Sequence, residues 1–253
     1  HYGQGTEIIP GIASSWKISE DGTRYIFFLR DSVFFQNGVL LNSSHVKSSF
    51  ERILNPDTAS RRSWLFKSVV GAKDYNELKK NEVIGFFCPN DSTFIINLKK
   101  PFAPFLGFLA MPSASIVLLV NDQIIGTGPW IKSEWIRDGH FLFTANPHYF
   151  NHPPKLDRLK IRFLPEALPR VAEFVTGYLD ILDIPNAEYE MWLKDPEWRD
   201  HIQLINQLNT YYIGEAYMLF PIIFVDADNE EIEEDAEQLA EDFGDIVDNI
   251  GFR

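Results

Sequence analysis

The spacing of apolar positions along this chain changes several times, and each change marks a predicted element. Residues 25–30, Tyr-Ile-Phe-Phe-Leu-Arg, follow the turn-forming run Ser19-Glu20-Asp21-Gly22-Thr23, so a strand is predicted on each side of that turn, the first containing Trp16. Strand-like residues 31–35 then lead into Asn37-Gly38, a tight-turn dipeptide. Beyond it the period becomes helical. Val46, Phe50 and Ile53 fall at i, i+4 and i+7, behind the N-cap candidates Asn42-Ser43-Ser44 and ahead of the stop at Pro56. His45 on this helix has no partner at metal-ligand spacing and is read as a surface histidine. Residues 83–87 and 93–98 flank Pro89-Asn90-Asp91 and predict a hairpin. Residues 99–112 are almost wholly apolar but broken by Pro101, Pro104 and Pro112, which makes them core rather than a membrane helix.

The centre of the pattern is Gly126-Thr127-Gly128-Pro129-Trp130. Two glycines allow backbone angles or a close approach that a side chain forbids, Pro129 restrains one dihedral, and Trp130 sets a large ring beside the turn. The segment is read as a crossing between two structural units beside a cleft; an ordinary loop with a buried tryptophan is the other reading. After it, a strand is predicted over 141–145 and a turn over 146–150, and residues 156–163 alternate with period two as a half-buried strand. Pro165 to Pro169 opens a helix with Val171, Phe174 and Val175 on its apolar face and Gly177 at the C-cap. A strand over 179–184 follows, so strand, helix and strand predict an α/β layer with parallel pairing. A second helix over 187–193 and a strand over 208–213 complete the unit. Residues 220–225 suit one more strand, and Ile232, Ala236, Leu239, Phe243, Ile246, Val247 and Ile250 place an apolar stripe on an acidic helix.

Charge separates the last segment from the rest. Between 221 and 253 stand twelve acidic residues and one basic one, −11 of the total −13, so the body is nearly neutral and carries no basic footprint for nucleic acid. The acidic face is read as solvated, and alternatively as a contact surface for a basic partner or a second copy. No run of about 18 apolar residues appears, so no membrane span is expected. The chain opens on His1-Tyr2-Gly3-Gln4-Gly5 without a basic, apolar leader, as a processed secreted protein or a trimmed chain does. The single cysteine, Cys88, is read as a small buried residue. Six scattered histidines include His148 and His152, which prolines flank on both sides and which are therefore not expected to share a helix face or a metal. No nucleophile motif and no phosphate-binding loop is present, so neither an enzyme nor a cofactor is expected.

Eight segments in order resemble the extracytoplasmic solute-binding proteins of family 5, the peptide- and nickel-type substrate-binding subunits of ABC importers. They are Ile9-Pro10-Gly11-Ile12-Ala13-Ser14-Ser15-Trp16, Asp21-Gly22 to Leu29-Arg30, Val33-Phe34-Phe35-Gln36-Asn37-Gly38, and Val46 to Phe50-Glu51-Arg52. Ala110-Met111-Pro112-Ser113-Ala114, the crossing, Asn146-Pro147 with Tyr149, and Gly177 to Asp180-Ile181 continue the series. The resemblance covers about residues 7–214.

It implies an α/β, periplasmic-binding-protein type II-like lobe with an inserted mixed α+β subdomain. Residues 1–125 would be the extra subdomain, 126–214 a partial first lobe, and 215–253 a divergent acidic strand-helix tail. In the family a second lobe follows; here Glu215-Ala216-Tyr217-Met218 leads into the acidic segment, so a truncated form without the opposite wall is expected, lacking also the first strand of the lobe. High-affinity capture by one wall is not expected, because an open ligand stays partly solvated. The implied function is that of a substrate-binding component of an ABC importer, taking oligopeptides or a similar small solute outside the cytoplasmic membrane and meeting the permease subunits there. Ligand contacts are expected at Met111, Pro112 and Ser113 on the cleft edge, at Thr127 and Trp130 in the crossing, and at Tyr211 and Tyr212 beside the interlobe strands. The alternative function is a ligand-sensing or protein-interaction domain of a regulatory protein with a similar lobe.

Overall fold

The turn at residues 19–23 shows how locally the first elements are determined. The Asp21 carboxylate accepts hydrogen bonds from the Thr23 amide at 3.1 Å and the Thr23 hydroxyl at 2.8 Å, and Gly22 takes φ +67°, as the turn requires. These bonds to the charged form hold the exposed Asp21 carboxyl below its ordinary range, the Ser19 hydroxyl contributing most. The turn joins β1 (Ala13–Ile18) to β2 (Arg24–Leu29). The computed structural model describes residues 7–121 and 123–204, all within one compact unit that ends at Asn206.

The expected helix forms as α1 (Ser43–Leu54) and is capped reciprocally. The Asn42 side chain accepts from the His45 amide at 3.2 Å, and the Asn42 amide donates to His45 Nδ1 at 3.1 Å. His45 is therefore half-buried, edge-on to Phe35 at 5.2 Å, and not a free surface residue. A short α2 (Ala72–Asn76) precedes the predicted hairpin, β3 (Phe86–Asn90) and β4 (Thr93–Asn97), in which the strand runs on through Pro89 past an irregularity in register. The four strands form one antiparallel sheet in the order β1-β2-β4-β3. Tyr25 and Phe27 of β2 lie opposite Ile96 and Phe94 of β4, and this face receives α1. Phe50 fills the interface, 4.6 Å from Phe66 and under 6 Å from Phe86 and Phe94, ring centre to ring centre.

The apolar, proline-broken segment becomes α3 (Phe105–Ala110), with Phe105 wholly buried against Tyr25. Pro112 ends it with a 3-10 turn to Ala114. A small hairpin, β5 (Leu118–Val120) and β6 (Gln123–Ile125), leads to the crossing.

Beyond the crossing lies a second antiparallel sheet, β7 (Trp130–Ile136), β8 (His140–Ala145) and β9 (Arg158–Arg162), followed by α4 (Ala167–Val175) and α5 (Tyr189–Lys194). Gly177 takes φ +78° and donates its amide to Phe174 O at 3.0 Å, the predicted C-cap. Phe174, Trp192 and Trp198 pack together, with Trp192 the buried member.

Two expectations fail here. Residues 179–184 form no strand, and every described strand pair is antiparallel, so the parallel strand-helix-strand unit does not form among the described residues. Ile181 stands 83% exposed: alternation marks a segment able to form a strand, but a neighbour with free backbone groups must also be in reach. The strand at 156–163 exists, yet its apolar face is largely open, with Ile161 and Phe163 exposed beside a stacked Trp135–Phe141 pair. The opposite face carries Arg162, paired with Glu173 of α4. The strand expected at 208–213 and all of 215–253 lie outside the described residues.

Glu51 joins α1 to the loop before β3, accepting the Val83 amide at 2.9 Å with Lys47 Nζ at 3.8 Å. Burial pushes its carboxyl above the ordinary glutamate value, outweighing the Val83 amide and the Lys47 charge, which act downwards. Burial is the largest single influence on Lys47 and lowers it, but its bond to Glu82 and the charges of Glu51 and Glu82 together outweigh burial and raise it. A carboxyl raised on folding holds its proton more tightly folded than unfolded. Its contribution to stability therefore declines as pH rises from the ordinary glutamate range through the folded value. Glu51→Gln keeps an acceptor for Val83 and is expected to flatten that decline in urea midpoints taken across pH 4 to 7, on the scale of glutamate titration; an unaltered slope would refute the assignment. Phe50→Ala is expected to cost about 3–5 kcal/mol by cavity formation, measured by urea denaturation.

Candidate functional site

The crossing is held in place by two side chains from distant parts of the chain. Gln36, just before the Asn37-Gly38 turn, donates its amide to Gly126 O at 3.0 Å and its side-chain nitrogen to Trp130 O at 2.8 Å and Gly128 O at 3.3 Å. Asn146, buried at the end of β8, donates its side-chain nitrogen to Gly128 O at 3.0 Å and its amide to Pro129 O at 2.8 Å. Its own side-chain oxygen accepts the His148 amide at 3.1 Å.

The glycines differ from expectation. Neither Gly126 nor Gly128 has positive φ, and a Cβ at Gly128 would meet nothing within 4 Å. A Cβ at Gly126 would be in ordinary contact with the Gly128 amide nitrogen at 3.9 Å, and both glycines line a cavity.

That cavity has a volume of about 660 Å³, within the usual range for small-ligand sites. Its floor is Phe27, Leu29 and Phe94 of the first sheet with Val46 and Phe50 of α1. One wall is Ile8 to Ala13 with Trp16; another runs from Leu106 through Met111 and Pro112 to Val117; the crossing and Tyr149-Phe150 close the third. Arg30 braces the first wall, donating Nε to Gly11 O at 2.8 Å and its amide to Ile12 O at 3.0 Å, with the guanidinium over the Phe150 ring. Ser49 braces the second, exchanging hydrogen bonds of 2.9 Å with the Val117 amide and carbonyl.

Of the residues expected to contact ligand, Met111, Pro112 and Thr127 line the cavity together. Ser113 and Trp130 do not line it. Trp130 opens β7, where its carbonyl serves the Gln36 bond. Tyr211 and Tyr212 lie outside the described residues. Gln36, Trp16, Tyr149 and Phe150 belong to the site although sequence reasoning assigned them no ligand role. Gln36, Trp16 and Tyr149 stood within the matched motifs, and that membership was the available signal.

Cys88 is half-buried and donates to Ser43 O at 3.3 Å, and burial pushes its thiol up. Among the described residues no group of three or more His, Cys, Asp or Glu side chains could hold a metal, and no helix is long and apolar enough to cross a membrane.

The described residues thus combine two larger antiparallel sheets and several helices with a pinned glycine-containing segment beside an apolar cavity. The chain matches the model of the bacterial extracellular solute-binding proteins, family 5, over residues 7–216, and it belongs to that family. It is 31% identical over 231 residues to di/tripeptide-binding protein 4 of Pseudomonas aeruginosa, covering 83% of this chain and 42% of that protein. The nickel-binding periplasmic protein of Escherichia coli is 27% identical, covering 82% of this chain and 40% of the relative. The chain thus spans about two-fifths of the length of the curated relatives it matches.

Among solved structures, NikZ from Campylobacter jejuni in complex with Ni(L-His) has a TM-score of 0.65 at 28% identity, covering 78% of this chain and 39% of that one. The substrate-binding domain of an oligopeptide ABC transporter from Bacillus anthracis has a TM-score of 0.68 at 22% identity, covering 75% and 39%. The fold is that of the type II-like family-5 lobe. The regulatory alternative finds no support in these relatives.

Gln36→Leu removes both side-chain donors at similar length. It is expected to cost about 1–2 kcal/mol and to speed hydrogen exchange at the Asn146 amide, read by exchange mass spectrometry; unchanged exchange there would show that Gln36 does not hold the crossing.

Proposed function

We propose that this chain contributes the subdomain and much of the first lobe of the substrate-binding component of an ABC importer, binding oligopeptides outside the cytoplasmic membrane. The supporting observation is the 660 Å³ cavity beside the crossing of a family-5 fold, with Met111, Pro112 and Thr127 on its wall. Residues up to 125 act as the extra subdomain and 126–214 as the lobe. Ser113, Trp130, Tyr211 and Tyr212 belong to the wider ligand surface. The partners are a small peptide and the permease subunits that accept it. The role is binding rather than catalysis, as relatives named for what they bind support, and the cavity wall combines apolar side chains with backbone groups and the uncharged polar side chains of Gln36, Ser115, Thr127 and Tyr149. Relatives named for dipeptides and tripeptides support the peptide assignment.

Aromatic and aliphatic walls cover side chains while backbone groups hold peptide amides, a division of labour that tolerates varied sequences. Calorimetric titration of the purified chain with a pool of di- to pentapeptides is expected to give binding no weaker than millimolar, about −4 kcal/mol, short of what a second wall would add. Absence of heat from a folded sample would count against the proposal.

A further inference from the structure

Thr127 is 8% exposed, and its hydroxyl makes no hydrogen bond among the described residues. Its amide and carbonyl, and the Gly128 amide, are likewise unbonded there. Polar groups on a cavity wall that have no partner within the protein are available to hydrogen-bond whatever enters the site. The flanking bonds from Gln36 and Asn146 fix the carbonyls of Gly126, Gly128, Pro129 and Trp130 but leave this dipeptide unpaired. Gly128 has neither positive φ nor a protein atom within 4 Å of where a Cβ would stand, so no side chain covers the backbone there, and the residue lines the cavity.

Resting on the peptide-binding reading, we propose that the Thr127–Gly128 strip and the surrounding apolar walls form one subsite for an uncharged peptide unit bearing an apolar side chain. The strip offers two backbone N–H donors, one carbonyl and one hydroxyl, which complement the acceptor and donor of a peptide group. No charged side chain lines the cavity, and the nearby Arg30 is engaged with Gly11 O and the Phe150 ring. A lysine or glutamate side chain, or a metal chelate with net charge, would be desolvated there without a counter-charge. Trp16, Leu29, Met111, Ile116 and Phe150 instead offer apolar contact on several sides.

The test titrates the full chain with Ala-Phe-Ala, Ala-Lys-Ala and Ala-Glu-Ala, which share length and termini. Ala-Phe-Ala is expected to bind at least about tenfold more tightly than the other two. Thr127→Val, which keeps the shape and removes the hydroxyl, and Gly128→Leu, which fills the open space, are each expected to weaken Ala-Phe-Ala by about tenfold or more, with an unchanged melting temperature. Equal binding of the three peptides, or full Ala-Phe-Ala affinity in Gly128→Leu, overturns the subsite and leaves peptide binding standing. Failure of the unaltered chain to bind any of them at millimolar concentration overturns the subsite and the peptide reading together.

Discussion

The Gly128 carbonyl carries the constraint on which the site depends. It accepts from Gln36, which follows the first sheet's leading strands, and from Asn146, which ends the second sheet's central strand. One oxygen thus ties segments 92 and 18 residues away to the same point of the chain. Because Asn146 is buried, its amide would be costly to leave unbonded, and the arrangement is correspondingly specific. With Gly126, Pro129 and Trp130 fixed by the same two residues, the backbone between them is held as a wall.

The floor of that wall owes its rigidity to packing. Phe50 touches three other rings, and the strand pair Tyr25–Ile96 with Phe27–Phe94 carries the sheet's inner face. Close-packed interiors deform little, which favours a cavity of fixed shape above these rings. Arg30 and Ser49 extend the same rigidity to the two flanking walls through backbone bonds.

The second sheet distributes its surfaces differently. On β9, Arg162 pairs with Glu173 of α4, while Ile161 and Phe163 on the other face remain exposed beside Trp135 and Phe141. Alternation along a strand reports which residues share a face, and it is silent on what that face meets. The same limit explains residues 179–184: a composition able to form a strand pairs with no strand among the described residues, and these positions run as irregular chain.

Much of the local structure was legible in residue order. Asn42 ahead of Val46, Phe50 and Ile53 sufficed for α1 and its buried face, Asp21-Gly22 and Asn90-Asp91 for two turns, and Gly177 for the end of α4, because caps, turns and periodicity act between near neighbours. The site was legible in part. Met111, Pro112 and Thr127, three of the expected ligand contacts, line the cavity, whereas Trp130 and Ser113 do not, and the Trp130 carbonyl accepts the Gln36 bond. Gln36 could not be assigned its role from sequence, since its partners lie more than 90 residues away and nothing in a glutamine's neighbourhood encodes them. The meaning of the two glycines also required the fold. Order along the chain marked them as a turn; only tertiary packing, which leaves open space beside Gly128 and brings an apolar cavity to it, decided that they keep a wall clear.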